Sequence, residues 1–440
     1  MLNHLRLRNV GPSSALDIDF APRLNVITGD NGLGKSFLLD IAFWAMTRRW
    51  PGEVNRRLFA GRQAFPAGSG EAEIGFSFTG KAKTETYVSR FQRREEAWTG
   101  RPGRPANPGL VFYAMSDGSF AVWDPARNYW RTQGQVDVQE RVPAYVFSPT
   151  EVWNGLDQRA ITDSNWKRRE EEADRPLSLG LVMDWAGWQK EKSAAFTSLT
   201  KVLEALSPSK REALKPGALQ RISLDDARDI PTVRMPYGKD VSVLHASAGM
   251  RRMLALAYVL VWAWEEHCQA AKLLDEAPTR QVVLLMDELE SHLHPHWQRQ
   301  IVPSLLQVAR TLVGQKAELQ LIATTHSPLV MASIEPLFDA QTDAWWDLDL
   351  ERGRVVMRAR PFERLGDADR WLTSEAFDLQ STRSLEAEAL VKKAAAMLEA
   401  DAPDPKKIED MHQKLAQALP ATDDFLFNWR YVCKNKGWMQ

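Results

Sequence analysis

The segment spanning residues 24–49 constrains the fold more than any other part of this sequence. An apolar run at residues 24–28 leads into Gly-Asp-Asn-Gly-Leu-Gly-Lys-Ser at residues 29–36, and helical periodicity continues from Lys35 to about Arg49. This order of strand, glycine-rich loop and helix is the context that a phosphate-binding loop requires. Glycines let backbone N–H groups converge on phosphate oxygens, and the helix N-terminus adds positive potential. We therefore expect an α/β fold that binds a nucleoside triphosphate, ATP, at this loop.

The loop and a later acidic pair predict how the nucleotide is held. The expected nucleotide contacts are Gly29, Asp30, Asn31, Gly32, Leu33, Gly34, Lys35, Ser36 and Phe37. We expect Lys35 to reach the β and γ phosphates and the Ser36 hydroxyl to bind Mg²⁺. The apolar run at residues 282–286 ends in Asp287 and Glu288, which predicts two acids at the carboxyl edge of a sheet, where ligands bind in open α/β folds. Asp287 is expected to share the Mg²⁺, and Glu288 to polarise the attacking water.

Bulk composition names no partner for this chain of 440 residues. The formal net charge is -1, which argues against an all-over cationic surface for nucleic acid and leaves a local basic groove open. The two cysteines, Cys268 and Cys433, lie far apart and predict neither a disulfide framework nor a zinc site, which fits the cytoplasm. The N-terminus is typical of a strand and not of an export signal, and the most apolar stretch, residues 253–264, is shorter than the roughly 20 residues of a membrane span.

Together these motifs resemble the ABC-type ATPases of the RecF, SMC and OLD group. The resemblance rests on the loop, the acidic pair, the His-Leu-His-Pro stretch at residues 292–295 and Thr-Thr-His-Ser-Pro at residues 324–328. It implies a homodimer of ATPase heads in which each nucleotide is held between two heads. A higher oligomer of such heads stays open. A signature segment from the second copy would cap the γ phosphate, formed here by Ser247, Ala248, Gly249, Met250 and Arg251. The same match implies a D-loop at Ser291, His292, Leu293 and His294, and makes His326 the switch histidine, catalytic with Lys35 and Glu288.

Over the second half, the sequence is similar to the ATPase subunits of Septu-type anti-phage systems, which also occur beside retrons. The matching stretches are residues 231–252, 287–295 and 365–383. This similarity implies a defence ATPase that regulates a separately encoded HNH-type nuclease, and it leaves DNA or a retron nucleic acid open as a further partner.

The predicted fold is an ABC-ATPase head, with a mixed sheet around the phosphate loop and an antiparallel β subdomain, a helical insert and a C-terminal helical region. We place lobe one at residues 1–157, the insert or lid at 158–230, lobe two at 231–340, and a short β element with a helical, candidate docking region at 341–440. Within these, we expect antiparallel hairpins from Glu71 to Trp130 and one helix from about Pro295 to Leu312.

Several alternative interpretations stay open at this stage. One is a DNA-repair ATPase of RecF type that binds DNA, and basic residues at Arg48, Arg49, Arg56, Arg57 and residues 167–169 are candidates for phosphate contacts. A transporter subunit is disfavoured by the unusual signature. A metal site at His292, His294 and His296 lacks supporting cysteines or carboxylates. Asp347 and Asp349 alternate with leucines, which predicts the outer face of an ordinary strand and not a nuclease. No Q-loop glutamine is evident, and residues 148–151 lie near its expected place.

Overall fold

The computed structural model describes residues 1–80, 84–100, 107–128, 142–157, 176–377, 379–399 and 404–438. The chain divides into two compact units, Met1–Ala368 and Asp369–Gln440. No helix of the described residues is both long enough and apolar enough to cross a membrane.

In chain order, the strands are β1 (Leu2–Arg8), β2 (Ala15–Asp19), β3 (Leu24–Gly29), β4 (Glu73–Thr79), β5 (Thr84–Gln92), β6 (Ala97–Trp98), β7 (Leu110–Ala114), β8 (Phe120–Trp123), β9 (Tyr145–Phe147), β10 (Leu156–Asp157), β11 (Pro176–Ser178), β12 (Lys215–Pro216), β13 (Thr232–Arg234), β14 (Asp240–Ser242), β15 (Gln281–Met286), β16 (Glu318–Thr324), β17 (Asp343–Glu351) and β18 (Arg354–Arg360).

The helices are α1 (Lys35–Thr47), α2 (Pro51–Val54), α3 (Pro149–Asn154), α4 (Gly180–Glu191), α5 (Ala194–Ala205), α6 (Ala248–Leu273), α7 (Pro295–Gln298), α8 (Ile301–Val313), α9 (Pro328–Ile334), α10 (Ala368–Leu372), α11 (Leu385–Leu398), α12 (Pro405–Ala418) and α13 (Asp424–Asn435).

A mixed sheet of eight strands forms the centre of the first unit, in the order β18-β17-β3-β16-β15-β7-β8-β9. The five strands from β17 to β7 run parallel, and both edges of the sheet end in antiparallel pairs. The runs in β3 and β15 are almost wholly buried, as expected for strands that are covered on both faces. Since β3, β16 and β15 are parallel neighbours, their carboxyl ends meet at one edge of the sheet.

A second sheet, β2-β1-β4-β5-β6, is antiparallel throughout. In β1 the leucines at positions 5 and 7 are buried whereas Arg6 and Arg8 are exposed, which confirms the strand predicted from alternation. The predicted α/β fold with a mixed core sheet, an antiparallel β subdomain and C-terminal helices is therefore confirmed.

Beside the central sheet, α6 buries most of its residues from Met253 to Ala263, so it is a core helix. Helices α4 and α5 pack against α6, and α5 also packs against α8. They belong to the segment predicted as a helical insert, whose residues 158–175, including the basic run 167–169, lie outside the described residues.

Three local expectations differ from the structure. The single helix expected at residues 295–312 is interrupted after Gln298, and α8 restarts at Ile301. Pro303 explains the break, because proline is tolerated only in the first turn of a helix, where its missing N–H is not needed. Strand β7, expected within hairpins, pairs with β8 on one side but runs parallel to β15 on the other.

The third difference concerns Asp347, which is 3% exposed and not on an outer face. Its carboxylate accepts a hydrogen bond from Thr28 Oγ1 at 2.9 Å and pairs with Arg360 at 3.1 Å. These polar partners explain how an acid can be buried inside the sheet. Leu350, on the same strand, is 56% exposed, so the leucines of this strand are not all on the covered face. Strand β17 thus belongs to the sheet of the first unit, whereas the predicted boundaries grouped it with the C-terminal helices.

The second unit has a hydrophobic core of its own, built by α11, α12 and α13. Its buried residues are Ala387, Ala394, Ile408, Leu415, Leu419, Leu426, Trp429 and Cys433. Each helix begins with a side-chain cap, from Ser384, Asp404 and Asp423 respectively, which satisfies backbone N–H groups of the first turn.

Candidate functional site

The loop between β3 and α1 lies at the carboxyl edge of the central sheet. A side chain at Gly29 would place its Cβ 2.1 Å from the carbonyl oxygen of Leu348 on the neighbouring strand β17, and the φ of Gly29 is +130°. Only glycine fits this position, because the adjacent strand approaches too closely for any Cβ. The first glycine of the predicted pattern is therefore fixed by packing of the sheet as well as by the ligand it is expected to bind.

The other predicted loop residues divide between solvent and core. Asp30, Asn31, Gly32 and Ser36 are exposed, whereas Leu33 and Lys35 are buried. Phe37 is half-buried, with its ring close against Gly11. Asp30, Asn31 and Ser36 are therefore open to a ligand, while the buried side chain of Leu33 anchors the loop.

The ammonium of Lys35 is enclosed by the loop itself. Its Nζ donates hydrogen bonds to the carbonyl oxygens of Gly29 at 2.8 Å and Asp30 at 2.7 Å. Burial lowers the pKa of Lys35, and the negative charges of Asp287 and Glu288 act in the opposite direction. The lysine therefore lies in the same electrostatic environment as the acidic pair, although residue 35 and residue 287 are far apart in sequence.

The acidic pair follows β15 directly, and Thr324 at the end of β16 holds it. The Thr324 hydroxyl donates to Asp287 Oδ1 at 2.8 Å and accepts the backbone N–H of Glu288 at 2.8 Å. Asp287 is 2% exposed. The φ of Glu288 is +48°, a conformation that costs energy for a residue with a side chain. Two adjacent strands therefore fix both acids beside the phosphate loop.

His326 follows β16, which is the neighbour of β3, the strand that leads into the phosphate loop. Burial and the charge of Lys35 lower the pKa of its imidazole, and the charge of Glu290 opposes them. Glu290 also accepts the backbone N–H of His326. The structure thus brings Lys35, the acidic pair and His326 together at the ends of three neighbouring strands.

The predicted signature segment lies at the start of α6. Ser247 is the N-cap of this helix, and Ser247, Ala248 and Arg251 are exposed. A Cβ on Gly249 would lie 2.7 Å from the carbonyl oxygen of His292, so the D-loop packs directly on this glycine. In the D-loop, Leu293 is buried, whereas His292 and His294 are exposed. The signature segment and D-loop of one chain therefore form a continuous exposed surface.

Four residues at the site were not assigned a role from the sequence: Arg252, Thr324, Asp40 and Tyr113. Arg252 donates to the carbonyl oxygen of Asp287 at 3.2 Å, which links the signature helix to the acidic pair. The signal in the sequence that could have indicated this role is an arginine near the start of the long apolar helix α6. The contact of Thr324 with Asp287 joins residues that no local pattern relates.

Asp40 and Tyr113 lie behind the phosphate loop. The Tyr113 hydroxyl donates to Asp40 Oδ1 at 2.9 Å, and Tyr113 is 1% exposed. Burial raises the pKa of Asp40 to about 7, against the stabilising effect of the Tyr113 hydrogen bond on its charge. The helix that carries Lys35 therefore contains a carboxyl group that holds a proton up to neutral pH.

The donor set of the site fits Mg²⁺. Ser36 offers an exposed hydroxyl and Asp287 a carboxylate, both hard oxygen ligands. Among the described residues, no group of three or more histidine, cysteine or acidic side chains forms a metal cage. Mg²⁺ does not need such a cage, because it binds one or two carboxylates together with phosphates and water.

The remaining candidates have structural contacts in this fold. His294 caps α7 by accepting the backbone N–H of His296, and His296 lies 3.1 Å from Glu212. Ser148 and Glu151, near the place expected for a Q-loop, form a capping box at the start of α3. Ser148, Glu151 and His294 therefore each have a capping contact within the chain.

Comparison with known proteins identifies relatives of this chain. A protein family described as "AAA domain, putative AbiEii toxin, Type IV TA system" matches residues 24–332, more than half of the chain. The chain is 31% identical over 100 residues to the Septu protein PtuA of Bacillus mycoides (strain KBAB4), a match that covers 23% of this chain and 13% of that protein. It is 25% identical over 186 residues to the Retron Vc95 probable ATPase of Vibrio cholerae serotype O1 biovar El Tor, covering 40% of this chain and 32% of that protein. The chain thus spans under a third of the length of these curated relatives.

Among solved structures, the chain is similar to the SMC head domain from Thermotoga maritima, with 15% identity, a TM-score of 0.38, and coverage of 82% of this chain and 99% of that one. It is also similar to the Smc head domain with an extended coiled coil bound to the C-terminal domain of ScpA, derived from Pyrococcus furiosus. That comparison gives 13% identity, a TM-score of 0.39, and coverage of 82% and 96%.

Proposed function

The chain belongs to the family of AAA domains described as "AAA domain, putative AbiEii toxin, Type IV TA system", and from that premise we propose that it is an ATP-hydrolysing regulatory subunit of an anti-phage defence complex. Membership confirms the prediction of an ATPase domain. The observation that carries the proposal is the meeting of Lys35, Asp287, Glu288 and His326 at the carboxyl ends of β3, β15 and β16.

Nucleotide binding is assigned to the phosphate loop, residues 29–36. The exposed backbone of the loop and the N-terminus of α1 provide N–H groups for the phosphate oxygens of ATP. Lys35 gives up its bonds to the carbonyls of Gly29 and Asp30 for the β and γ phosphates, and this exchange makes the loop respond to the ligand. Mg²⁺ held by Ser36 and Asp287 would neutralise charge on the phosphates.

Hydrolysis is assigned to Glu288, which orients and polarises the attacking water. Its backbone is fixed by the Thr324 hydroxyl and has a positive φ, so the direction of its side chain is imposed by the turn after β15. Burial lowers the pKa of His326, which favours the neutral imidazole, with one ring nitrogen able to donate a hydrogen bond to the γ phosphate. Phosphoryl transfer needs mainly positioning and charge stabilisation, which this set of residues supplies.

A second copy of the chain is part of the proposal. Ser247 and Gly249 are at the exposed start of α6, and their N–H and hydroxyl groups are free to approach a γ phosphate held by another chain. The exposed D-loop residues adjoin this surface through the contact of His292 with Gly249. Hydrolysis then depends on assembly of a homodimer.

The defence role and the nuclease partner rest on resemblance. The matched relatives are named as a Septu protein and a retron ATPase, and the sequence motifs resemble ATPase subunits that act with a separate HNH-type nuclease. The second unit, Asp369–Gln440, is our candidate for docking that nuclease, because it presents Phe427 and Tyr431 on one exposed face of α13. We infer that the state of the ATPase controls the nuclease.

A hydrolysis assay with Glu288→Gln tests the enzymatic part. The variant keeps the shape of the side chain but loses its basicity, so we expect kcat to fall by about 10²- to 10³-fold with ATP binding retained. Light scattering should then show a dimer that persists with ATP. Glu318→Gln, which changes an exposed acid at the opposite end of β16, is the matched control and should turn over normally. Undiminished turnover by Glu288→Gln would remove Glu288 from this role.

Affinity purification from the native host tests the nuclease partner separately. The full chain should recover an HNH-type nuclease, and a chain that ends at Ala368 should not. Recovery of no nuclease by an active, full-length ATPase would contradict the defence assignment and leave the ATPase assignment intact.

A further inference from the structure

Glu290 holds the loop that carries His326 at two points. One carboxylate oxygen accepts the backbone N–H of His326 at 2.6 Å, and the other accepts the hydroxyl of Thr325 at 2.6 Å. Hydrogen bonds to an ionised carboxylate are shorter and stronger than neutral ones. The carboxylate therefore fixes the chain at the histidine and at the residue before it.

A second set of hydrogen bonds holds the other side of the same loop. The Ser327 backbone N–H donates to Thr325 Oγ1 at 3.0 Å, and the Ser327 hydroxyl donates to Gln298 Oε1 at 2.7 Å. Gln298 in turn donates to the carbonyl oxygen of Leu293 at 2.9 Å. The loop from Thr325 to Ser327 is thus bound to residues on both sides of the D-loop.

These contacts leave His326 dependent on Glu290 for its position. The imidazole is half-buried, and its backbone N–H has an acid as partner instead of a strand. If the carboxylate is lost, the N–H of His326 and the hydroxyl of Thr325 must find new partners, and the loop must shift to do so. A shift of about 1 Å at a catalytic group can cost 10²-fold in rate.

We propose that Glu290 is a positioning residue for His326, and that it sets the rate of hydrolysis through the placement of this histidine. The inference rests on the proposed function and assigns Glu290 no contact with the nucleotide. The three acids of residues 287–290 then have different roles, because Asp287 binds the metal, Glu288 orients the water and Glu290 positions the histidine.

A double-mutant cycle in the full-length chain tests the inference. ATP hydrolysis is measured for the wild type, Glu290→Gln, His326→Ala and the double variant. Glutamine keeps the size of the side chain, but its NH₂ group cannot accept a hydrogen bond, so one of the two contacts is lost in its present form. We expect Glu290→Gln to lower kcat about tenfold with KM changed less than about twofold, and the double variant to match His326→Ala.

Glu335→Gln is the matched control. Glu335 is 8% exposed and its carboxylate accepts the backbone N–H groups of Leu365 and Gly366, which is the same type of contact away from the site. It should leave kcat unchanged even where it lowers the melting temperature. Thr325→Val removes one of the two Glu290 contacts without changing an acid, together with the acceptor of the Ser327 backbone N–H. It should lower kcat in the same direction as Glu290→Gln, and it replaces that variant in the test if Glu290→Gln does not fold.

The outcomes separate this inference from the proposed function. If the wild type does not hydrolyse ATP, both are wrong. If the wild type is active but the two single effects multiply in the double variant, or His326→Ala is fully active, the positioning role of Glu290 is overturned and the ATPase assignment stands. An equal loss of kcat in Glu335→Gln would overturn it as well, because the effect would then be a general loss of structure.

Discussion

The phosphate loop and the signature segment both open a helix, yet their environments are opposite. Lys35, at the start of α1, is 6% exposed and is held by two carbonyl oxygens of its own loop. Ser247, at the start of α6, is exposed, and its hydroxyl accepts a long hydrogen bond of 3.4 Å from the backbone N–H of Met250. The phosphate loop holds Lys35 by hydrogen bonds within one chain, whereas the signature segment presents its polar groups to the solvent. Under the proposed function, binding and turnover should therefore be separable, because only turnover would need the exposed segment.

The largest expected effect comes from the buried half of the comparison. Lys35→Ala removes the ammonium that we propose neutralises the phosphates, so ATP binding should become undetectable by calorimetry and turnover should fall at least about 100-fold. Lys316→Ala, an exposed lysine in the turn before β16, is the control. Wild-type affinity in Lys35→Ala would break the comparison, because the loop would then not be the nucleotide site.

The exposed half is tested by mixing two inactive variants. Ser247→Arg should keep ATP binding and lose turnover, because its phosphate loop is intact while its outward surface is blocked. An equal mixture with Lys35→Ala should recover about a quarter of wild-type turnover, since half of the randomly formed dimers contain one intact site. Ser384→Arg, which alters the cap of α11, controls for the loss of an N-cap serine. A mixture with no recovered activity would show that Ser247 does not act on a second chain.

The smallest expected effect is on the free energy of unfolding, and it concerns Asp40 on α1, the helix that carries Lys35. The pKa of Asp40 is about 7 in the folded chain against an ordinary 3.8, so between these values the folded state binds a proton that the unfolded state releases. The free energy of unfolding should therefore fall as pH rises through this window, by about 1.4 kcal/mol per pH unit from this group. Asp40→Asn removes that contribution, and urea unfolding at pH 5 and pH 7.5 measures it. Equal pH dependence in both proteins would contradict a buried, protonated Asp40.

Much of the site could be predicted because its motifs are local. The strand, loop and helix around Lys35, and the apolar strand that ends in Asp287, each show their structure in a short window of sequence. The rule that ligands bind at the carboxyl ends of parallel strands then predicts that the loop and the acidic pair share one edge of the sheet. Lys35, Asp287 and Glu288 meet there for this reason, and His326, which was assigned from the family resemblance, lies beside them.

The remaining features depend on contacts that no short window contains. Thr324 ends β16 whereas Asp287 follows β15, and Glu290 and His326 follow β15 and β16 respectively, so their hydrogen bonds are visible only when the two strands are paired. The prediction of an outer face for Asp347 is wrong for the same reason: alternation with leucines gives the period of a strand, but not which neighbours cover each face. The partners Thr28 and Arg360 decide that acid's burial.

The separate core of residues 387–433 has a consequence for which substitutions this module tolerates. Its three helices bury their apolar side chains against one another and are capped by their own residues, so the module is held together by contacts within itself. Changes to outward side chains should therefore be tolerated, whereas changes to the small interior set, Trp429 and Ile408 among them, should unfold the module.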